Sequence, residues 1–214
     1  MNISTQGILK KGLPPGFLYV DEVVGDCIVD AKYAGTDNFL GRPAAGYLQP
    51  LVVVSQAVAD RLVPAADILR VQGYVLKIFD ACRPQRAVDD FVRWGADMGD
   101  QRRKPVHYPR VEKSAMFRDG YIAPRSGHSR GCAIDLTLVD PLTWQELDMG
   151  SIFDFMDPRS HHGAPGLTLL QERNRAILRD AMCQSGFRLY QQEWWHYIAD
   201  PEPFPDTYFD FPIQ

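Results

Sequence analysis

The chain lacks most of the features that give a protein's role away at first sight. It has no excess of positive charge: 23 Lys and Arg stand against 27 Asp and Glu, a net −4 at pH 7. With a sequence pI near 5.7, nothing electrostatic favours nucleic acid as a partner. Its basic cluster, Arg102, Arg103 and Lys104, is not extended by its surroundings and reads as a solvated loop. No run approaches the roughly 18 apolar residues of a membrane span. The opening "MNISTQGILKKGLPPGFLYV" has lysines but no apolar stretch behind them, and two prolines interrupt it, so it does not read as a secretory signal. The expected location is therefore the cytoplasm. Four cysteines, Cys27, Cys82, Cys132 and Cys183, lie far apart with no Cys-x-x-Cys pair, which argues against a zinc ribbon or a thioredoxin-like motif. In a cytoplasmic chain they are expected to be reduced and mostly buried. Repeats and low-complexity tracts are absent as well.

What is present is an ordinary globular composition, 45% hydrophobic and 23% charged over 214 residues, enough for one core. Residues 1–18 read as an N-terminal arm and 19–214 as a single domain. "CIVDAKYAGTDNFLG" (27–41) reads as a short strand entering a polar turn. Helical spacing marks 52–73, with Pro64 expected to kink or divide that helix. A strand is expected over 74–81 and a helix over 85–97. The stretch 98–124 reads as polar and irregular, a functional loop or lid. A strand over 131–138 and a loop-rich region over 139–165 follow. A helix over 167–186 should carry Leu170, Ala176, Ile177 and Met182 on one side, with Gly186 ending it. The aromatic stretch 187–200 reads as a strand. Short strands mixed with helices, without regular β-α-β alternation, give an α+β class.

Chemistry enters at "RSGHSRGCAIDLTL" (125–138). Alternation puts Cys132, Ile134, Leu136 and Leu138 on a core face and Ala133, Asp135 and Thr137 on the other. Asp135 thus has small neighbours and room beside it, and Gly131 lets the backbone bring His128 back toward it. Two such residues need a third to hold a metal ion, from among His107, His161, His162 and His196. In "EWWHY", Glu193 and His196 suit a metal ligand with a general base beside it. A regular strand would point 193 and 196 to opposite faces, so the chain must bulge or turn there. The plainer reading makes both tryptophans core and Glu193 a solvated charge. Adjacent His161 and His162 diverge in direction and read as loop residues or supports.

The patterns Ser-x-His-x-x-Gly-x-Ala-x-Asp and Glu-x-x-His together resemble the zinc D-Ala-D-Ala dipeptidases, which include the vancomycin-resistance dipeptidase. "YAGTDNFLG" (33–41), "FDACRP" (79–84) and "DMGSIFDFMDPRSHH" (148–162) extend the resemblance in the same order, short of the arm. Cys82 departs from it, standing where the family usually has an aromatic before Arg-Pro. The resemblance implies a hedgehog/D,D-peptidase-like domain: a small, mostly antiparallel sheet packed with helices. It also implies one zinc ion per chain, held by His128, Asp135 and His196 with a water as fourth ligand. Glu193 would be the general base and Arg83 the group that stabilises the transition state, with a salt bridge to Asp80 or Asp89 as the plainer reading of Arg83. Asp154 would pair with the substrate ammonium, its alternative being a carboxylate that caps a turn. Ser126 would stand beside it as a second substrate contact, and Tyr33, Asp37 and Asn38 are further residues that could border the pocket. The implied substrate is the free dipeptide D-alanyl-D-alanine, with no nucleic-acid or membrane partner and homo-oligomerisation left open. A carboxypeptidase acting on peptidoglycan stem peptides and a non-catalytic hedgehog-like binding module are the alternatives. Antibiotic resistance and D-alanine scavenging would use the same chemistry.

Overall fold

The computed structural model describes residues 7–214. In chain order its elements are β1 (Phe17–Tyr19), α1 (Val20–Val23), β2 (Ile28–Val29), β3 (Val53–Ser55), α2 (Gln56–Val71), β4 (Val75–Asp80), α3 (Gln85–Ala96) and α4 (Lys104–His107). They continue with β5 (Ala133–Asp140), β6 (Gln145–Glu146), α5 (Leu169–Gln184), β7 (Phe187–Tyr190) and β8 (Glu193–Ala199). The main sheet runs β2-β4-β5-β8-β7, with β6 pairing onto β5. Only β2 and β4 pair in parallel; the other neighbours are antiparallel. β1 and β3 make a separate antiparallel ribbon. This is the expected α+β arrangement of a small sheet packed with helices. Among the described residues, no helix is long and apolar enough to cross a membrane.

The core follows the apolar spacing. Leu62, Ala65 and Leu69 of α2 and Leu178 and Met182 of α5 are buried with Ile78, Ile134, Leu136 and Leu138 of the sheet. Fully burying one such side chain contributes about 1.5–3 kcal/mol. Ser55 caps α2 by accepting from the Val58 N–H, and Thr168 and Gln171 form a capping box on α5. Gly186, at φ 89°, sits where only glycine is comfortable just past the end of α5.

Several expectations are corrected. Pro64 does not divide α2, which is continuous through it. It lies on the exposed side of the helix, as does Asp60, so the Asp60 carbonyl that loses a partner can be satisfied by water. β5 is buried on both faces, so its polar face is an interior one. Residues 187–200 form not one strand but the hairpin β7–β8, which turns at Gln191–Gln192 without the glycine or asparagine that would signal it. The buried side of α5 is Gln171, Asn174, Arg175, Leu178, Ala181 and Met182, while Leu170 is exposed. Residues 98–124 are not irregular throughout. They contain α4 and a 3₁₀ turn, Lys113–Ala115. Lys113 is buried, with Nζ 3.9 Å from the centre of the Trp94 ring, and donates to the carbonyls of Asp97 (2.7 Å) and Asp100 (2.9 Å). A buried cation that holds two carbonyls and an aromatic face orders the turn after α3.

The N-terminal arm falls partly outside the described residues. Of the rest, the Lys11 N–H donates to the Gln214 carbonyl, and Tyr19 Oη donates to the Lys11 carbonyl. All four cysteines are free thiols; Cys82 and Cys132 are buried and Cys183 is exposed.

Candidate active site and metal centre

Three local devices bring the polar groups together. The first is the turn before β5, where Gly131 adopts φ 63° and its N–H donates to the His128 carbonyl. A side chain at Gly131 would be strained by that φ and would meet the Phe17 ring at 3.2 Å. The second is a bulge in β4. Ile78 pairs with Leu136 and Asp80 with Asp135, so Phe79 is an extra residue and Asp80 comes to lie beside Asp135. The third is an irregularity in β8, where Leu189 pairs with Tyr197 but the next residue, Tyr190, pairs with Glu193. Residues 194–196 are thus accommodated without partners on β7, which lets Glu193 and His196 face the same cavity. The bulge required by the sequence is present.

His128, Asp135 and His196 converge, each offering a ligand atom within 4.8 Å of the others. His128 Nε2 lies 3.2 Å from Asp135 Oδ2, His196 Nδ1 lies 3.0 Å from Asp135 Oδ1, and the two nitrogens are 3.1 Å apart. His128 Nδ1 is 2.7 Å from the Ala81 carbonyl, which can only accept, so Nδ1 carries the proton and Nε2 is left with its lone pair. Two imidazole nitrogens and a carboxylate are a donor set that suits zinc, and the residues present fit that ion. Burial alone would raise the Asp135 pKa, but the imidazoles on either side override it and hold the carboxyl well below the usual range. Burial lowers His128, helped by the Arg83 charge. Burial lowers His196, but its hydrogen bond to Asp135 and the negative charges of Asp135 and Glu193 together outweigh it and raise its pKa.

Glu193 stands next to this trio, with Oε2 3.7 Å from His196 Nδ1 and about 22% of its side chain exposed. Burial pushes its pKa up to about 7, where a carboxyl can both take and give a proton near neutrality. The plainer reading was half right: Trp194 and Trp195 are core, but Glu193 faces the cavity.

Arg83 is buried between the Tyr33 and Phe91 rings, 4.8 and 5.0 Å from their centres. Its Nε donates to Asp80 Oδ2 at 2.8 Å and its Nη2 reaches Asp135 Oδ2 at 3.5 Å. The Asp80 salt bridge therefore exists, and it also orients a guanidinium in the cavity wall. Tyr47 Oη donates to the other Asp80 oxygen at 2.6 Å. With both oxygens engaged, Asp80 is a fixed strut.

Asp154 lies across from these groups in sequence but lines the same cavity. Its φ of 57° is unusual for a residue with a side chain, and it accepts from Tyr33 Oη at 2.9 Å. Burial, reinforced by the Asp135 charge, pushes its pKa well above the usual carboxylate value. Ser126 also lines the cavity, and its Oγ accepts the His128 N–H at 3.2 Å. Tyr33 borders the cavity as expected, but Asp37 and Asn38 do not. Asn38 is committed to the carbonyls of Lys32, Gly35 and Arg42, and Asp37 to Lys32 and Arg103. The basic cluster is likewise paired, Arg102 with Asp100, Arg103 with Asp37 and Lys104 with Glu112. His161 and His162 stay in the loop after the 3₁₀ turn Pro158–Ser160, outside the metal-competent trio.

Sequence reasoning missed the supports of the segment that carries Asp154. His107 Nδ1 lies 3.2 Å from the Asp154 carbonyl and Nε2 3.0 Å from Arg103 Nη2. Arg175 donates to the carbonyls of Met149, Arg159 and His161, and Gln171 and Asn174 to Asp148. A run of polar residues at helical spacing on the buried side of α5 was the available signal.

The trio, Glu193, Arg83 and Asp154 line one partly open cavity of about 230 Å³. That is below the roughly 300–1,000 Å³ of drug-sized ligand pockets, so the site suits a smaller molecule. The family model described as D-Ala-D-Ala dipeptidase, peptidase M15, matches residues 14–214, which takes in every residue of the cavity wall. The D-alanyl-D-alanine dipeptidase of Enterococcus faecium is 45% identical over 199 residues, 93% of this chain and 98% of that protein. Its counterpart in Streptomyces coelicolor is 47% identical over 197 residues, 92% and 98% of the two chains. That of Escherichia coli is 34% identical over 172 residues, 80% and 78% of the two chains. With its cavity wall wholly inside the matched region and near-complete overlap with such relatives, this chain belongs to the D-Ala-D-Ala dipeptidase family of M15 peptidases.

Proposed function

We propose that this chain is a zinc-dependent dipeptidase that hydrolyses free D-alanyl-D-alanine to two molecules of D-alanine in the cytoplasm. The observation that carries the reading is the convergence of His128, Asp135 and His196, with Glu193 beside them, in the wall of a cavity of dipeptide scale. His128 Nε2, Asp135 and His196 Nδ1 would hold the ion. When bound there, zinc supplies Lewis acidity that makes water a nucleophile near neutral pH.

The remaining roles fall to the chain itself. Glu193 takes the proton of the attacking water and passes it to the leaving amine, a two-way duty that suits a carboxyl raised to about 7. Arg83, held by Asp80 and two aromatic faces, is a preorganised donor for the oxygen on which negative charge develops. Asp154 meets the substrate ammonium, which would draw the buried carboxyl back to its ionised form. Ser126 offers a hydroxyl at the same wall.

The test compares zinc-loaded protein on free D-alanyl-D-alanine and on a stem pentapeptide ending in the same two residues. The dipeptide is expected to be cleaved and the pentapeptide to be refused, since Asp154 needs a free ammonium next to the scissile residue. Preference for the pentapeptide would make the chain a carboxypeptidase. No turnover of either would favour a binding module.

A further inference from the structure

A free dipeptide is a zwitterion, and the reading above gives a partner to its ammonium only. A carboxylate taken from water into a half-closed cavity needs a cation or several donors. Two arginines line the cavity, Arg83 and Arg125. Arg83 is already bound to Asp80 and faces Asp135, and it lies on the interior side between Tyr33 and Phe91. Arg125 differs in each respect. It is exposed at the cavity wall, and among the described residues it has no carboxylate partner. What holds it is a ring, with its guanidinium carbon 4.5 Å from the centre of Tyr208. Arg130 lies over the same ring at 5.6 Å, but Arg130 is paired with Glu202 at 2.8 Å and donates to Tyr208 Oη. Of the two arginines on Tyr208, the one that lines the cavity has no hydrogen-bond partner among the described residues.

From this we propose that Arg125 receives the C-terminal carboxylate of the substrate and is a specificity-determining residue of the site. The inference rests on the dipeptidase reading and deepens it. Arg125 lies three residues before the ligand His128, on the segment that the Gly131 turn anchors, so the carboxylate contact is tied in position to the metal centre. Stacking on Tyr208 limits the rotamers of a long side chain and reduces the entropy lost when it grips an anion. With Asp154 and Arg125 on separate segments of one small cavity, the two ends of the substrate are read independently. The site would then select for a free carboxylate as well as a free ammonium.

The experiment measures kcat/KM for D-alanyl-D-alanine and for its C-terminal amide, with wild type, Arg125→Ala and Arg125→Lys. A charge-assisted hydrogen bond contributes about 1.5–3 kcal/mol, which is roughly 10- to 100-fold. Wild type should prefer the acid over the amide by that factor. Arg125→Ala should lose it on the acid, mainly through a higher KM, and change turnover of the amide far less. Arg125→Lys should recover part of the preference. Equal loss on acid and amide, or an acid preference that survives Arg125→Ala, would overturn the assignment. If wild type cleaves neither compound, the dipeptidase reading itself falls, a result distinct from turnover without dependence on Arg125. Since Arg125 is exposed, an unchanged melting temperature in the variants confirms that the comparison is made on folded protein.

Discussion

Glu193 shows how one side chain can be legible in type and illegible in state. "EWWH" marks a carboxylate and an imidazole close together, but nothing local says that the carboxyl is lifted to about 7. That shift comes from burial beside Asp135, a neighbour nearly sixty residues away in the chain. Replacing it with an isosteric amide separates the proton transfer proposed for it from its packing. Glu193→Gln is expected to lower kcat by about 10²- to 10⁴-fold while zinc content stays at the wild-type level. Turnover and metal analysis on the same samples check this; a loss under tenfold would remove Glu193 as the base. The convergence of His128, Asp135 and His196 was legible because their residue types and spacings are distinctive. The Asp80 partner of Arg83 was legible too, as one of two nearby carboxylates, but His107 and Arg175 were not, since each acts on a backbone carbonyl that only the fold brings near. Asp37 and Asn38 failed for the converse reason, as polar residues beside Tyr33 that turn to their own loop.

At the scale of elements, the site depends on departures from regular structure. β4 carries one extra residue and β8 several, and the turn before β5 relies on Gly131. The β8 irregularity lets Glu193 and His196 face one cavity, and the β4 bulge sets Asp80 beside Asp135. Gly131→Ala tests the turn. A left-handed conformation costs an alanine about 1–2 kcal/mol, and the Phe17 contact at 3.2 Å adds to that. Urea denaturation should show a loss of at least that size, together with weaker zinc binding because His128 shifts. A loss below about 0.5 kcal/mol would mean that the turn relaxes easily and does not set the ligand. Most element positions followed from apolar periodicity. The β7–β8 turn and the path through Pro64 did not, because one has no turn residues and the other depends on which side of α2 faces water.

For the molecule as a whole, acid stability follows from carboxylates held in ion pairs. The Arg102 side chain, by its hydrogen bonds, lowers Asp100 to about 2. Burial opposes ionisation of Asp90, but Arg42 and the Ala45 N–H override it and keep its pKa below the usual value. A folded pKa below the unfolded one gives stability that is present above the unfolded value, near 3.9. That stability is lost as pH falls through the folded value. Melting temperature should therefore decline between about pH 4 and pH 2, and less steeply in Asp100→Asn; equal slopes would contradict the assignment. The central claim concerns the metal. Zinc titrated into metal-stripped protein, with D-alanine release from D-alanyl-D-alanine as the readout, tests it most directly. Activity should rise in proportion to zinc, level off at one equivalent per chain, and stay at the baseline throughout in His128→Ala. Full activity in the stripped protein, or a His128→Ala variant that responds like wild type, would contradict the account.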